Sequence, residues 1–333
     1  MYTRTLNRPT KGLQYPPDAI TFKYWNEFRG ERDVLNRRDM LCGLGTIPLW
    51  PNMVASAITV GTSEVISVSD GNLVLPGGMF FDNLPQDELA PILENAGVAR
   101  DQVTPPCNLT LLRQQDRLVL FDAGSGPAFM PSAGSILDSL DALGVAAEDI
   151  TDVIFTHAHP DHLWGILDDF DEPVFYEAQH MISEGEWAYW TDPNTVNTIG
   201  EARAAFAVGA ARRLDMVAEQ MTFFKDGDEV VPGVMAHSTP GHTPGHMAFE
   251  IRDGSQAVMV GGDAIGNHHV ALARPEWASG SDQDPDLGAT SRLQLLDKLV
   301  TDDIALLGFH LPDGGLGRIE SAGDGYRFIP EGA

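Results

Sequence analysis

Basic side chains are scarce in this 333-residue chain: 21 Lys plus Arg stand against 48 Asp plus Glu, a formal net charge of −27. So acidic a surface repels a phosphate backbone, which argues against nucleic acid as substrate or partner and leaves the charge as a solvated, solubilising face. Cysteine is nearly missing. Cys42 and Cys107 are the two present, neither in a C-x-x-C pair, so no disulfide framework is implied. The chain has no repeat and no low-complexity tract, and its apolar runs are too short or too broken for an integral membrane span. It also lacks a G-x-S-x-G elbow or a reactive-cysteine context, so a serine or cysteine nucleophile is not indicated. What it does have is 43% hydrophobic content, which allows a sizeable core, and a length that suits one large domain or two small ones.

Near the N-terminus, Arg37-Arg38 precedes a moderately apolar stretch that ends in Ala55-Ser56-Ala57, the small-x-small form of a signal peptidase site. It resembles a twin-arginine export signal and predicts export to the periplasm, with a cytoplasmic protein carrying an N-terminal arm as the alternative. Pro48 and Pro51 interrupt the apolar run, and Cys42 lacks the small residue that precedes a lipidated cysteine. Residues 1–57 therefore form an extension, and 58–333 the domain.

From Ser63 onward strands and helices alternate. Glu64–Val68 and Asn72–Leu75 read as strands joined by an Asp70-Gly71 turn, and Asn108–Leu112 and Arg117–Phe121 as a second hairpin. A helix is predicted from Ser132 through Leu143, then a strand at Asp152–Phe155, a strand at Pro173–Tyr176 and helices over Ala178–Trp190 and Glu201–Met221. The remainder returns to strands at Gly233–Ser238, Met247–Ile251, Ala257–Val260 and Ile304–Phe309, with a helix over Ser291–Val300. That order fits one α/β domain in which two sheets pack face to face under outer helices, a four-layer αββα sandwich.

The densest chemistry follows the Asp152–Phe155 strand. Thr156-His157-Ala158-His159-Pro160-Asp161-His162 offers four imidazole or carboxylate side chains of the kind that hold divalent transition metals. Residues two apart on extended backbone share a face, so His157 and His159 can share one ion while Asp161 and His162 turn to a second. Three further stretches repeat the logic of a ligand-type residue just past an apolar strand: His242 in T-P-G-H-T-P-G-H, Asp263 in G-G-D, and His310 in G-F-H-L-P. Together they suggest a metal cleft along one edge of the sandwich.

In order and approximate spacing, H-A-H-P-D-H, T-P-G-H-T-P-G-H, G-G-D and G-F-H resemble the metallo-β-lactamase superfamily, from about residue 64 to the end. Gly315–Pro330 and Trp187 are similar, more narrowly, to its methyl parathion hydrolase-like branch. The resemblance implies that His157, His159 and His242 bind one metal, that Asp161, His162 and His310 bind another, and that Asp263 bridges them. It implies two divalent ions, zinc first among Zn, Mn, Fe and Co. It implies a hydrolase in which a metal-bridging hydroxide attacks a small ester, lactone or organophosphate. Asp161 or Asp263 would hold or relay the proton. An aspartate at 263 is unusual for true β-lactamases of the superfamily, and the full set of seven disfavours a single-iron dioxygenase. The alternatives are a glyoxalase II-type thioester hydrolase, which would need a basic patch this chain lacks, and a non-catalytic metal-binding protein of the same fold.

Asp122 in F-D-A-G is expected to support the metal loops, and His246 to be structural. His180, His237, His268 and His269 read as surface or packing residues. Phe129 and Trp187 are candidates for a substrate pocket, with Trp190 and Phe206 as weaker ones. The partner is a small-molecule substrate. The oligomeric state is left open, a homodimer included.

Overall fold

The computed structural model describes residues 56–266 and 268–332. The arginine pair and most of the export-signal stretch, up to Ala55, lie outside the described residues. The first strand begins at Ala57, one residue ahead of the expected domain start.

Two seven-stranded sheets form the middle of the molecule, and in each the spatial order follows the chain. The first holds β1 (Ala57–Val60), β2 (Ser63–Asn72), β3 (Pro106–Gln114), β4 (Arg117–Phe121), β5 (Asp152–Ile154), β6 (Gln179–Ser183) and β7 (Met221–Phe224). The second holds β8 (Glu229–Val231), β9 (Val234–Ser238), β10 (Met247–Asp253), β11 (Gln256–Val260), β12 (Ala305–Leu307), β13 (Leu316–Ala322) and β14 (Gly325–Pro330). The helices longer than one turn are α1 (Gln86–Ala96), α2 (Ile136–Ala142), α3 (Glu184–Thr191), α4 (Ala204–Met216), α5 (His268–Ala273) and α6 (Pro285–Thr301).

Strand alternation builds the layers. Val119 and Phe121 of β4, Val258 and Val260 of β11, and Ala305 and Leu307 of β12 point into the space between the sheets, where Phe121 lies 5.2 Å from Phe249. Their neighbours point outward: Leu120 meets the layer of α2, α3 and α4, and Met259 and Leu306 meet α5 and α6. The result is the expected four-layer αββα sandwich.

Strand direction explains where the chemistry collects. β4, β5, β6 and β7 are mutually parallel, because the connections between β4 and β5 and between β6 and β7 carry helices. In the second sheet β9, β11 and β12 also share one direction. The C-terminal ends of β4, β5, β6, β9, β11 and β12 therefore gather at one edge. Backbone bonds join the sheets there, Met247 N–H donating to the Thr156 carbonyl at 3.0 Å and Asn108 N–H to that of Phe309 at 2.9 Å.

Several local expectations are corrected. Asp70-Gly71 does not turn the chain, because β2 runs on to Asn72 and the Asp70 carboxylate is buried, accepting from the Ser125 and Ile136 amides at 2.8 and 2.9 Å. Pro173–Tyr176 is a turn in which Phe175 fills the core. The stretch read as one helix over Ala178–Trp190 is strand β6 followed by α3, its break set by Ser183, whose hydroxyl caps the helix by accepting from Glu186 N–H at 3.0 Å. The stretch over Glu201–Met221 ends early, at Met216, and Met221 opens β7. The helix expected from Ser132 starts at Ile136, after Ser135.

His180 on β6 is fully buried, and neither ring nitrogen has a hydrogen-bond partner. Burial pushes its pKa down from 6.5 to about 4. An unfolded histidine takes its proton near pH 6.5 and the folded one only near 4, so stability present above pH 6.5 is lost as the pH falls across that interval. At about 1.4 kcal/mol per pKa unit the loss reaches up to about 3 kcal/mol. Thermal unfolding as a function of pH should fall less steeply between pH 6.5 and 4 in His180→Leu than in the wild type, the remaining slope coming from other buried histidines such as His246.

Candidate metal centre

Seven side chains meet at the shared strand edge, all of them buried. His157, His159 and His242 form one group and Asp161, His162, Asp263 and His310 a second, with the ligand atoms of each group within 4.8 Å of one another. All seven sequence-predicted residues are in these groups. In the first, His159 Nδ1 lies 3.0 Å from His157 Nε2 and 2.8 Å from His242 Nε2. Asp263 stands between the groups: one carboxylate oxygen is 3.3 Å from His162 Nε2, the other 3.4 Å from His242 Nε2 and 3.2 Å from His310 Nε2. Asp161 approaches His310 Nε2 at 3.3 Å and His162 Nε2 at 3.6 Å.

Local structure places each one. Pro160 opens a one-turn helix, Pro160–Leu163, at the position where proline's missing N–H costs nothing, and this turns Asp161 and His162 away from His157 and His159. Gly262 is in the left-handed region, φ 50°, and a side chain there would collide with His246. His246 Nε2 accepts from the Asp263 amide at 2.9 Å, and its Nδ1 lies 2.8 Å from the Thr239 hydroxyl, which gives it the structural role expected of it.

The outer nitrogens of three of the ligand imidazoles are held as well. His162 Nδ1 meets Asp122 at 2.8 Å, His242 Nδ1 meets Asp282 at 3.1 Å, and His310 Nδ1 meets the Pro106 carbonyl at 2.7 Å. Each contact fixes the ring so that Nε2 faces the centre. Asp122 adopts φ 66°, a conformation aspartate tolerates, and from it also accepts from the Thr156 amide at 2.8 Å and the Thr156 hydroxyl. Asn108 pins the His310 loop by donating to the Phe309 and Leu311 carbonyls at 2.9 and 2.8 Å.

These donors fit a divalent cation. The inward His162 Nε2, Asp161 Oδ2 and Asp263 Oδ1 are buried with no hydrogen-bond partner. Burial first, and then the neighbouring imidazoles, push His157 and His159 well below the ordinary histidine value, so their converging lone pairs repel unless a cation lies among them. In the second group burial opposes charge, but Asp263, then Asp122 and Asp161, raise His162 to about 10. Desolvation likewise opposes the Asp263 anion, and His310 and His162 hold it well below the carboxylate range. A metal entering there would displace those protons.

A family model for the metallo-beta-lactamase superfamily matches residues 104–309. The chain belongs to that superfamily. Among its relatives are the uncharacterized protein YobT of Bacillus subtilis, 29% identical over 161 residues that cover 48% of this chain and 62% of YobT, and the probable metallo-hydrolase Rv2300c of Mycobacterium tuberculosis, 27% identical over 192 residues that cover 48% of this chain and 56% of the relative. The chain thus spans a little over half the length of these relatives. Among solved structures, the dizinc quorum-quenching lactonase AidC, in complex with an N-acyl homoserine product, superposes with a TM-score of 0.78 at 26% identity, covering 84% of this chain and 98% of AidC. The hydrolase AbOPH superposes at 0.76 with 27% identity, covering 83% and 97%. The two donor groups and the dizinc neighbour support two divalent ions at this centre. The narrower likeness to the methyl parathion hydrolase branch is not singled out by these matches.

The aromatic candidates lie around the centre in different ways. Trp190 is fully buried with its ring 5.6 Å from His159, and Phe206 is 6.1 Å from the same ring. Phe129 is buried behind Phe206, 6.2 Å from it, and Trp187 packs on Phe223 at 5.1 Å. A cavity of about 630 Å³ lies instead on the His310 side, lined by Phe80, Val98, Val103, Pro105, His268 and His269 among others, and neither Phe129 nor Trp187 lines it. His268 and His269 were expected to be surface or packing residues and in fact face this cavity. His237 pairs with Glu250 at 3.4 Å, away from the centre.

Sequence reasoning passed over Glu186, Asp282 and Asn108. Asp282 sits in a polar run that reads only as loop, and Asn108 in a strand start. A glutamate four residues before Trp190 on a short helix was the one signal available for Glu186. Asp122→Asn leaves one oxygen where two had served the Thr156 amide and the His162 Nδ1 proton separately. It should weaken binding of one of two metal ions roughly 10- to 100-fold in chelator competition, with His162→Ala affecting the same ion.

Proposed function

We propose that the chain is a binuclear, zinc-dependent hydrolase of small lactones, esters or organophosphates. The observation that carries this reading is the position of Asp263, whose carboxylate reaches both donor groups at 3.2–3.4 Å, one oxygen facing His242 of the first and His310 of the second and the other facing His162 of the second. A carboxylate so placed can hold two cations a few ångströms apart. When bound, such a pair makes hydroxide available at neutral pH and draws charge from a carbonyl or phosphoryl oxygen.

The chain's own residues do the rest. His157, His159 and His242 would offer three imidazole nitrogens to one ion; Asp161, His162 and His310 would hold the other. The burial of all seven excludes bulk water, which strengthens every charge interaction there. Asp161, 3.3 Å from His310 Nε2, is placed to hold the proton released after attack.

The cavity beside His310 supports a neutral organic substrate. Its apolar wall of Phe80, Val98, Val103 and Pro105 suits an acyl chain or aryl group. Burial pushes His268 down to about 3, with His269 adding to the effect, so the two rings, 3.7 Å apart, are uncharged at neutral pH. Among the described residues no lysine or arginine lines this cavity to pair with the carboxylates of glutathione, which disfavours a glyoxalase II-type activity. The likeness to a lactonase in complex with its N-acyl homoserine product supports testing lactones first.

Purified protein should contain two metal ions per chain and lose activity on chelation. In a panel of N-acyl homoserine lactones, aryl esters, phosphotriesters and lactoylglutathione, turnover is expected on the first three classes. Asp263→Asn should lower kcat/KM by more than about 100-fold. Fewer than two ions per chain, or an unaffected Asp263→Asn, would sink the two-metal mechanism.

A further inference from the structure

The Glu186 carboxylate, on α3, is fully buried beside the centre yet is not among its ligands. Both of its oxygens are saturated. Oε1 accepts from the Ala158 amide at 2.9 Å and from the Trp190 indole N–H at 2.6 Å. Oε2 accepts from the Thr243 hydroxyl at 2.8 Å and from the Gly245 amide at 3.0 Å. With four donors in place it has no lone pair aimed at a metal or a substrate.

Those donors are distributed in a telling way. Ala158 lies between His157 and His159, Thr243 is next to His242, and Gly245 closes the same loop. Trp190, held by the same carboxylate, sets its ring against His159. One buried charge therefore ties together two loops from different sheets, and the ligands those loops carry are His157, His159 and His242. The approach is close enough to require glycine, since a side chain at Gly245 would collide with the Glu186 backbone. Ser183 completes the tie by donating its hydroxyl to the Gly245 carbonyl at 2.7 Å. The other group is anchored by Asp122, Asn108 and the Pro106 carbonyl, none of which touches Glu186.

We propose that Glu186 is a positioning residue for the first group alone: by holding the 157–159 and 242–245 loops in register, it sets the geometry in which three imidazoles accept one metal ion. This rests on the reading of that group as a metal site. Replacing the carboxylate with an amide puts an N–H₂ group opposite two donors, which forces one loop to move.

The test uses the full chain, stripped of metal and titrated with Co²⁺ in competition with a chromophoric chelator. In the wild type two ions bind. Glu186→Gln is expected to weaken one binding step roughly 10- to 100-fold while the other keeps its wild-type constant. His157→Ala should remove the weakened step, and Asp161→Ala the other. A purely structural role predicts lower thermal stability with both metal constants unchanged; that result overturns the proposal, as does equal weakening of both steps. If Glu186→Gln does not fold, Thr243→Val and Trp190→Phe each delete one donor and keep the carboxylate. A smaller weakening of the same step supports the proposal, and unchanged constants overturn it. A wild type that binds one ion overturns the binuclear reading instead, and Glu186→Gln is then judged on that ion alone, its loss supporting the proposal and its retention overturning it.

Discussion

Five imidazoles and two carboxylates crowd one buried edge of this protein, and such crowding is unfavourable without help. Lone pairs on His157, His159 and His242 converge at hydrogen-bond distance, and Asp161 and Asp263 keep an oxygen each without a donor. Desolvation opposes the Asp263 anion, and the His157 and His159 rings that it keeps neutral turn their lone pairs toward one another. The surrounding structure bears that burden. A ring of fixed acceptors and donors, Asp122, Asp282, Glu186, Asn108 and the Pro106 carbonyl, leaves the inward atoms no alternative partner. The sheets supply the frame, since parallel strand ends are what bring loops from six strands to one edge.

Much of this was legible in the sequence, for a physical reason. Metal donors are chemically distinctive, and a strand followed at once by His or Asp is a local pattern, so the seven residues could be named before their distances were known. The layered architecture followed from the order of strands and helices along the chain. The supporting residues were hidden for the opposite reason. Glu186, Asp282 and Asp70 are ordinary acidic residues in a chain with 48 of them, and what distinguishes them is burial, a property of tertiary packing. Asp70-Gly71 carried a turn signature, but a carboxylate receiving two amides from the Ser125–Ile136 segment outweighs it and the strand runs on. Ala178–Trp190 read as one helix, while Gln179–Ser183 serve as the sixth strand of a sheet.

The cavity corrects the sequence reading in another way. Aromatic residues were the natural candidates for a substrate roof, yet Phe129 and Trp190 are consumed in packing that steadies the His159 ring. The open space lies across the centre, walled by the segment from Gly97 to Pro106 and by the two histidines at the start of α5. Loops that read as unremarkable therefore shape the recess, and the conspicuous side chains brace the metal-facing rings.

The two-sheet origin of the ligands also sets an order in time. Residues 157–162 belong to the first sheet, and the rest arrive one by one from the second, at 242, 263 and finally 310. As the chain is synthesised from its N-terminus, the three-histidine group has all its members once residue 242 has been made, whereas the other waits for residue 310. Assembly of the centre is thus stepwise by construction, and its last ligand arrives with the strand that joins β11 to the C-terminal hairpin.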